Sequence, residues 1–322
     1  MTIKHLRDLI HQDFEAVNQL ITSSIQSEVN LIDEVANHII HSGGKRLRPM
    51  MVLLASHACN YQGSHHINLA TSVEFLHTAT LLHDDVIDES TLRRGRKTSN
   101  DIWGSKVSIL VGDFLLTQYM QLLIQVGDLE IMKILTDIAY QIGCGEIKQL
   151  DNRNKTTITE AMYFDVIRCK TSLLFAASAK ISAVLAGVDG ATQEGLFKYG
   201  LHVGNAFQLI DDTLDYCADS ETIGKNIGDD LADGITTLPL IHALQNGTPE
   251  QQQCIKTSLE SGSLESLPEI QTAIKQTHAI EYTKQVAKDE VDKAISALQV
   301  LPNSVYKEAL EDLARYALER NH

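Results

Sequence analysis

Apolar residues recur at helical spacing along much of the chain, three or four positions apart. They fit one helical face in two stretches, the first with Leu69, Val73, Leu76, Thr80 and Val86 or Ile87, the second with Val286, Val291, Ala294, Ile295 and Leu298. Alternating β-branched runs bounded by hairpin dipeptides do not stand out. The pattern therefore predicts a helical protein.

Turn-forming stretches divide this pattern into about ten or more helices. None of the five prolines lies between residues 50 and 238, and such a span favours helices because proline breaks helix interiors. The candidate breaks are 42–44, 60–64, 94–99, 127–129, 152–157, 187–191, 220–234, 246–250 and 261–268. None has the composition of an interdomain linker, so we predict one all-α domain over residues 1–322.

An acidic pattern follows an apolar lead-in at two places in the chain. The sequence D-D-x-x-D stands at Asp84, Asp85 and Asp88, and again at Asp211, Asp212 and Asp215. The first and last aspartates of each copy are four residues apart and share one helical face. Carboxylates held against apolar sequence are costly unless cations compensate them. Two matching copies favour a Mg²⁺ site over the alternative of two solvated acidic faces.

Two basic clusters stand out in a chain whose net charge is −15. The first contains Lys45, Arg46 and Arg48, and the second contains Arg93, Arg94, Arg96 and Lys97. The first cluster runs into Pro49, as at a helix start, and helix N-termini bind anions. Arginine side chains also fit phosphate oxygens. Surface charge is the alternative for either cluster alone, but together with the acidic motifs they predict a diphosphate site. The net charge and the single tryptophan disfavour nucleic acid.

Cysteine usage and the N-terminus indicate a reducing compartment. The five cysteines are scattered and form no C-x-x-C pair, which argues against disulfides and against a cysteine zinc site. The first 14 residues contain no apolar signal core. The most apolar stretch, residues 107–126, contains Asp113, which favours a buried helix over a membrane span. We expect a cytoplasmic protein without stable membrane insertion.

Taken in chain order, these motifs resemble trans-polyprenyl diphosphate synthases. The matching segments are residues 43–49, 84–88, 93–95, 170–171, 207–215 and 224–225, and the resemblance spans essentially the whole chain. It implies a single large helical bundle of the isoprenoid synthase type with a central apolar cavity, used as a homodimer. It also implies Mg²⁺-dependent head-to-tail condensation of isopentenyl diphosphate onto an allylic diphosphate such as farnesyl diphosphate. The implied product is a long chain, octaprenyl diphosphate, for the ubiquinone side chain.

The resemblance also implies roles for individual residues. The six aspartates would hold about three Mg²⁺ ions when diphosphate is bound, with Lys170, Thr171 and Gln208 completing the catalytic set. The implied allylic diphosphate contacts are Arg93, Lys170, Thr171, Gln208 and Lys225, and the implied isopentenyl diphosphate contacts are Lys45, Arg48, His77 and Arg94. A plain core or surface position is the alternative for His77, Lys170 and Lys225. The family usually has a cation before the Thr-Leu-Pro segment, where Ile235 or Thr236 stands here.

Small residues before the first acidic motif predict room for a growing apolar chain. Ala79 and Thr80 lie five and four residues before Asp84, about one helical turn away. Short-chain members of the resembled family often have an aromatic residue there, which forms the floor of the cavity and stops the growing chain. A deeper floor would then come from bulkier residues such as Met120 or Leu123. Ordinary helix packing is the alternative for Ala79.

Two other functions fit an all-α chain with an acidic motif. A class I terpene cyclase would carry one D-D-x-x-D with a different second metal motif, and would lack the basic element at residues 43–48. A non-catalytic subunit of a heterodimeric synthase would typically lose acidic motifs. Both motifs and the basic element are present, so the sequence favours the synthase.

Overall fold

The protein is described by a computed structural model, which covers residues 3–217 and 228–319. Its first eight helices are α1 (Ile3–Leu9), α2 (His11–Ser24), α3 (Asn30–Ile40), α4 (Leu47–Ala58), α5 (His65–Ile87), α6 (Ser99–Trp103), α7 (Ser105–Val126) and α8 (Leu129–Asn152). A small antiparallel hairpin, β1 (Leu92–Arg93) and β2 (Arg96–Lys97), lies between α5 and α6.

The later helices follow in the same all-α pattern. They are α9 (Glu160–Ile167), a π-helical turn (Arg168–Ser172), α10 (Leu173–Leu185), α11 (Gly190–Cys217), α12 (Asp229–Ala232), α13 (Leu238–Asn246), α14 (Pro249–Ser261), α15 (Leu267–Gln276), α16 (Ala279–Ala297), a 3₁₀ turn (Leu298–Val300) and α17 (Val305–Tyr316). The predicted all-α fold is confirmed. The predicted break at 220–234 contains the short helix α12 in its described part.

Helices α4 and α10 form the centre of the bundle. Nearly every side chain of α10 is buried, and α4 is buried along most of its length. A helix that is apolar on all sides must be enclosed by others. Helices α4, α5, α8 and α11 pack around α10, while α7 packs on α5 and α16 packs on α11. Both acidic motifs therefore lie on helices that pack on α10, the same central helix.

Two glycines bring α11 close to α10. A Cβ atom at Gly200 would lie 2.3 Å from the carbonyl oxygen of Phe175, and one at Gly204 would lie 2.5 Å from the Cα atom of Ser172. Such distances are shorter than any van der Waals contact, so a larger residue at either position would push the helices apart. This close approach sets the second acidic motif, about two turns beyond Gly204, beside the π-helical turn.

Helix α7 is apolar on both its inner and its outer side. Leu115 and Leu122 are buried, whereas Leu110 is 67% exposed and Ile124 is 65% exposed. In the described part of the chain, α7 alone is long and apolar enough to cross a membrane by length and composition, and 39% of its most apolar stretch is buried. The buried helix expected from the sequence is therefore buried on one face only.

A buried carboxylate links α11 to α16. The side chain of Glu290 lies 2.8 Å from Nδ1 of His202 and accepts hydrogen bonds from Asn205 (2.7 Å) and Lys293 (2.6 Å). Burial alone would raise the pKa of Glu290, but these contacts outweigh it and lower the pKa from 4.5 to about 2. Ionised Glu290 therefore stabilises the folded state.

We expect Glu290→Gln to lower the free energy of unfolding at pH 7 by about 1–3 kcal/mol. A carboxyl whose folded pKa is lowered contributes full stability above its unfolded pKa, and loses that contribution as the pH falls through the folded value. In urea titrations, the gap between wild type and variant should narrow as the pH falls from 4.5 towards about 2. A gap that stays constant over this interval would contradict the assignment.

Candidate functional site

A cavity of about 1030 Å³ opens between α4, α5, α8, α9 and α11. Residues of both acidic motifs and of both basic clusters line its wall. The residues predicted from the sequence that line the wall are Lys45, Arg48, His77, Thr80, Asp84, Asp88, Arg93, Arg94, Lys170, Thr171, Gln208, Asp211, Asp212 and Asp215. The fold thus brings segments from distant parts of the chain to one cavity.

The first acidic motif lies at the C-terminal end of α5. Asp84 and Asp88 both face the cavity, as expected for residues four apart on a helix. The pKa of Asp84 is raised to about 7, chiefly by burial and next by the carboxylate of Glu146. Asp88 forms an ion pair with Arg153. Negative charge on this wall is therefore only partly compensated by the protein.

Asp85 takes a different position from the one predicted for it. It is 1% exposed and is not part of the cavity wall. Its Oδ1 accepts a hydrogen bond from Nε of Arg93 (2.9 Å) and lies 2.7 Å from Nη2 of the same guanidinium in an ion pair. A residue next to Asp84 is turned by about 100° around the helix, so it does not share the face of the metal-binding pair. In the structure Asp85 anchors Arg93 through Oδ1, and its role as a Mg²⁺ ligand stays a prediction.

The second acidic motif is tied into a chain of hydrogen bonds. Thr171 donates to Oε1 of Gln208 (2.9 Å), and Nε2 of Gln208 donates to Oδ1 of Asp212 (2.8 Å). The hydroxyl of Tyr163 donates to Oδ2 of Asp212 (2.6 Å). The pKa of Asp212 is raised well above its usual value, chiefly by burial and next by Asp230. Asp212 is thus held rigidly by neighbours.

The π-helical turn presents two predicted site residues. Lys170 and Thr171 lie within Arg168–Ser172 and both line the cavity. Nζ of Lys170 is 2.8 Å from a carboxylate oxygen of Glu146 on α8. Single π-turns inside helices are frequent at functional sites. The extra residue in this turn brings both side chains to the same wall.

The two basic clusters meet at one end of the cavity. Arg94 and Gly95 form the hairpin turn with φ values of 53° and 73°, which is typical of a two-residue turn between β-strands. A Cβ atom at Gly44 would lie 2.9 Å from Nη1 of Arg94, so the missing side chain of Gly44 allows this approach. Arg94 therefore lies against the loop that leads into α4.

Aromatic rings and a histidine complete this basic end. The guanidinium of Arg48 lies 4.3 Å from the ring centre of Phe175, and Nζ of Lys45 lies 5.2 Å from that of Tyr316. The pKa of His77 is lowered well below 6.5, chiefly by burial and next by Arg48. A neutral imidazole beside these cations can donate one hydrogen bond to an anion. The arrangement suits a diphosphate group.

The residues predicted to control chain length are spread over different surroundings. Thr80 lines the cavity and donates its hydroxyl to the carbonyl of His77 (2.8 Å). Ala79 and Leu123 are buried but are not part of the cavity wall. Met120 is 57% exposed on the outer face of α7. It therefore forms no floor within this chain, and that prediction is corrected.

Several wall residues were not predicted from the sequence. They are Glu74, Glu146, Gln149 and Tyr163, together with Asp229, Asp230 and Asp233. The last three repeat the D-D-x-x-D pattern a third time, so the signal was present, but it lay inside a predicted break. The others carry no local motif. Ile235 and Thr236 also line the cavity, so the usual family cation is absent from the wall at that point. Lys225 lies outside the described residues.

The donor atoms on the wall fit Mg²⁺. They are carboxylate oxygens, which are the ligands that this hard cation prefers. Among the described residues, one group of three His, Cys, Asp or Glu side chains has its ligand atoms within 4.8 Å of one another, and it lies elsewhere. An ion bound at this wall would therefore have one or two carboxylate ligands from the protein. Water and substrate phosphate would fill its remaining coordination positions, as is usual for Mg²⁺. The raised pKa of Asp84 also fits, because a cation would relieve the crowding.

Comparisons with known proteins show the family of this chain. A family model described as polyprenyl synthetase matches residues 29–277. The chain is 46% identical over 322 residues to octaprenyl diphosphate synthase of Escherichia coli (strain K12), covering 100% of both chains. It is 43% identical over 312 residues to the all-trans-nonaprenyl-diphosphate synthase (geranyl-diphosphate specific) of Rhodobacter capsulatus, covering 97% of this chain and 96% of that one. The crystal structure of polyprenyl synthase from Caulobacter crescentus CB15, complexed with calcium and isoprenyl diphosphate, superposes with a TM-score of 0.96 at 40% identity, covering 100% and 98% of the two chains.

Proposed function

The chain belongs to the polyprenyl synthetase family, and we propose that it extends an allylic diphosphate with isopentenyl diphosphate to make octaprenyl diphosphate. The observation that carries this proposal is the convergence of both acidic motifs and both basic clusters on one cavity. Full-length similarity to an octaprenyl diphosphate synthase supports the product length, with farnesyl diphosphate as the expected primer.

We propose Mg²⁺ as the cation, held by Asp84, Asp88, Asp211 and Asp215, with about three ions when diphosphate is bound. When bound, Mg²⁺ supplies positive charge that stabilises the departing diphosphate. The Caulobacter structure is a complex with calcium, which supports binding of a divalent cation. Lys170 and Arg93 add positive charge beside Asp84, and Glu146 and Asp85 hold these two cations in place.

In this proposal each substrate has its own diphosphate contacts within the cavity. Isopentenyl diphosphate is held by Lys45, Arg48, His77 and Arg94 at the N-terminus of α4, where free backbone N–H groups favour an anion. The allylic C–O bond breaks, its electron pair leaves with the diphosphate, and the isopentenyl double bond forms the new C–C bond at C1. The released proton goes to the diphosphate. The oxygens of Thr171 and Gln208 face the cationic carbon and stabilise its charge.

Incubation of the purified chain with farnesyl diphosphate, labelled isopentenyl diphosphate and Mg²⁺ tests the function. We expect mass spectrometry to show an eight-isoprene diphosphate as the main product. A cyclic hydrocarbon made without consumption of isopentenyl diphosphate would indicate a terpene cyclase. Activity that appears only after addition of a second, different subunit would indicate a heterodimeric enzyme. Either result would overturn the proposal.

We propose that a second copy of this chain covers the outer face of α7 and α8. Large apolar side chains are exposed there, among them Leu110 (67%), Ile124 (65%), Leu129 (81%) and Ile147 (66%). An apolar surface of this kind is characteristic of a subunit interface. The two helices are consecutive, and a symmetric dimer would bring the same apolar side chains of both copies together.

Ile124→Glu should convert the proposed dimer into a monomer, because it places a charge inside the apolar interface. Sedimentation velocity of wild type and variant at equal concentration measures this change. Val305→Glu is the matched control, since Val305 is also exposed, at 57%, but lies on α17. A monomeric wild type, or a variant that remains dimeric, would refute the interface.

We also propose a cytoplasmic location and use of the product in the ubiquinone side chain. Cys59, Cys144, Cys169 and Cys254 are free thiols, as is usual in a reducing compartment. The acidic net charge and the lack of a basic aromatic surface motif in the sequence support the absence of a nucleic-acid partner. Fractionation of the producing cells, followed by assay of synthase activity in the soluble fraction, tests the location.

A further inference from the structure

We propose that Asp13, His57 and His66 form a binding site for a zinc-class divalent cation, separate from the active-site cavity. The three side chains come from α2, α4 and the first turn of α5. Each offers one ligand atom, and these atoms all lie within 4.8 Å of one another. Oδ2 of Asp13 is 2.6 Å from Nε2 of His57 and 3.1 Å from Nε2 of His66.

His66 provides the second observation that points to a ligand. The residue is 7% exposed, and its ring lies near Asp13 and the Gly63 backbone, but neither ring nitrogen makes a hydrogen bond of good geometry. Its 3.1 Å contact with Asp13 has the length of a hydrogen bond but not the direction of one. Buried polar atoms without partners are costly. A metal ion between the three residues would give Nε2 of His66 a partner.

The donor set selects the class of metal. Two imidazole nitrogens and one carboxylate oxygen suit zinc and its transition-metal neighbours, whereas Mg²⁺ prefers oxygen alone.

The spacing is close to that of a tetrahedral site. Ligand atoms bound to Zn²⁺ at about 2.0–2.1 Å lie about 3.3 Å apart, so the 3.1 Å contact of His66 is already close to this spacing and the 2.6 Å contact of His57 must widen by about 0.7 Å. The side chains of Asp13 and His57 are 26% and 29% exposed, which leaves a path for the ion and a position for water. Three protein ligands with one open position is a common zinc arrangement.

Two aromatic rings hold the imidazoles in place. Tyr306 stacks on His57 with the ring centres 4.7 Å apart, and Tyr61 meets His66 edge-on at 5.6 Å. Tyr306 belongs to α17, so the group joins N-terminal and C-terminal helices. Eighteen residues of α5 separate His66 from Asp84, a distance of about 27 Å along the helix. The site is therefore a structural clamp and takes no part in the chemistry of the cavity.

Zinc binding by the chelator-treated protein tests the proposal. The intact chain is titrated with Zn²⁺ in excess Mg²⁺, which occupies the oxygen-rich cavity, and bound zinc is measured by mass spectrometry after gel filtration. We expect about one zinc per chain, a rise in Tm on binding, and loss of both effects in His66→Gln. His65→Gln is the matched control, because the neighbouring His65 is exposed and outside the group.

Cobalt substitution provides an independent readout that requires no variant. Co²⁺ bound by these ligands should give the strong visible absorption of a tetrahedral site with nitrogen donors. If circular dichroism shows that His66→Gln does not fold, Asp13→Asn replaces it as the test variant, because Asp13 is partly exposed. This variant should also lose the bound zinc. No zinc retained by wild type, or equal zinc in wild type, His66→Gln and Asp13→Asn, would overturn the proposal and leave a hydrogen-bonded triad.

Discussion

Asp84→Asn and Asp211→Asn should each lower kcat by about a thousandfold or more, because metal stabilisation of the leaving group is worth several kcal/mol. The two residues belong to different helices but line the same cavity. Each substitution keeps the size of the side chain and removes one anionic ligand. Steady-state assays over a range of Mg²⁺ concentrations measure the effect, and the variants should also need more Mg²⁺ for half-maximal rate.

A matched substitution separates metal binding from the general loss of negative charge. Asp137 lies on α8, is 60% exposed and pairs with Lys133 on the same helix. Asp137→Asn should therefore keep turnover near that of wild type. Near-normal turnover in folded Asp84→Asn or Asp211→Asn would count directly against metal binding by that motif.

Thr80→Phe should shorten the product, because it places a ring on the cavity wall where the growing chain must pass. Thr80 lies four residues before Asp84, about 6 Å along the helix, so the ring would stand close to the metal-binding aspartates and the product should be much shorter than eight isoprene units. Ala79→Tyr places a ring in the neighbouring buried position, and we expect shortening there too, with some loss of stability from overpacking. Thin-layer chromatography of the dephosphorylated products measures chain length.

Met120→Phe is the control for this prediction. Met120 points away from the cavity and is 57% exposed, so a ring there should leave the product unchanged in length. An unaltered product from folded Thr80→Phe would exclude a path for the chain past this wall. A shorter product from Met120→Phe would show instead that the outer face of α7 takes part in limiting chain length.

The sequence predicted those parts of the site that depend on spacing within one helix. Asp84 and Asp88 share a face because they are four residues apart, and Asp211 and Asp215 do so for the same reason. Both pairs line the cavity. The glycine and basic residues around the start of α4 were equally predictable from the sequence, because a basic loop at a helix start has a local signature. Local geometry therefore accounts for most of the predicted wall.

Features that depend on contacts between distant segments were not predictable. The side chain of Asp85 has the same sequence context as its neighbours, but a hairpin that follows α5 brings Arg93 against it. Glu146 belongs to the site because α8 passes beside Lys170, and nothing in its own segment indicates this. The outward position of Met120 depends on which face of α7 packs on α5. The periodicity of apolar residues predicts which faces of a helix are apolar, but it does not predict which neighbouring element covers each face.

The central claim is that aspartates from α5 and α11 share divalent cations with a diphosphate group across one cavity. Crystals grown with Mn²⁺ and inorganic pyrophosphate test it most directly, because anomalous scattering locates the metal. We expect manganese bound by Asp84 or Asp88 on one side and by Asp211 or Asp215 on the other, with pyrophosphate bridging the ions. Pyrophosphate bound without metal, or manganese found only away from these carboxylates, would contradict the account.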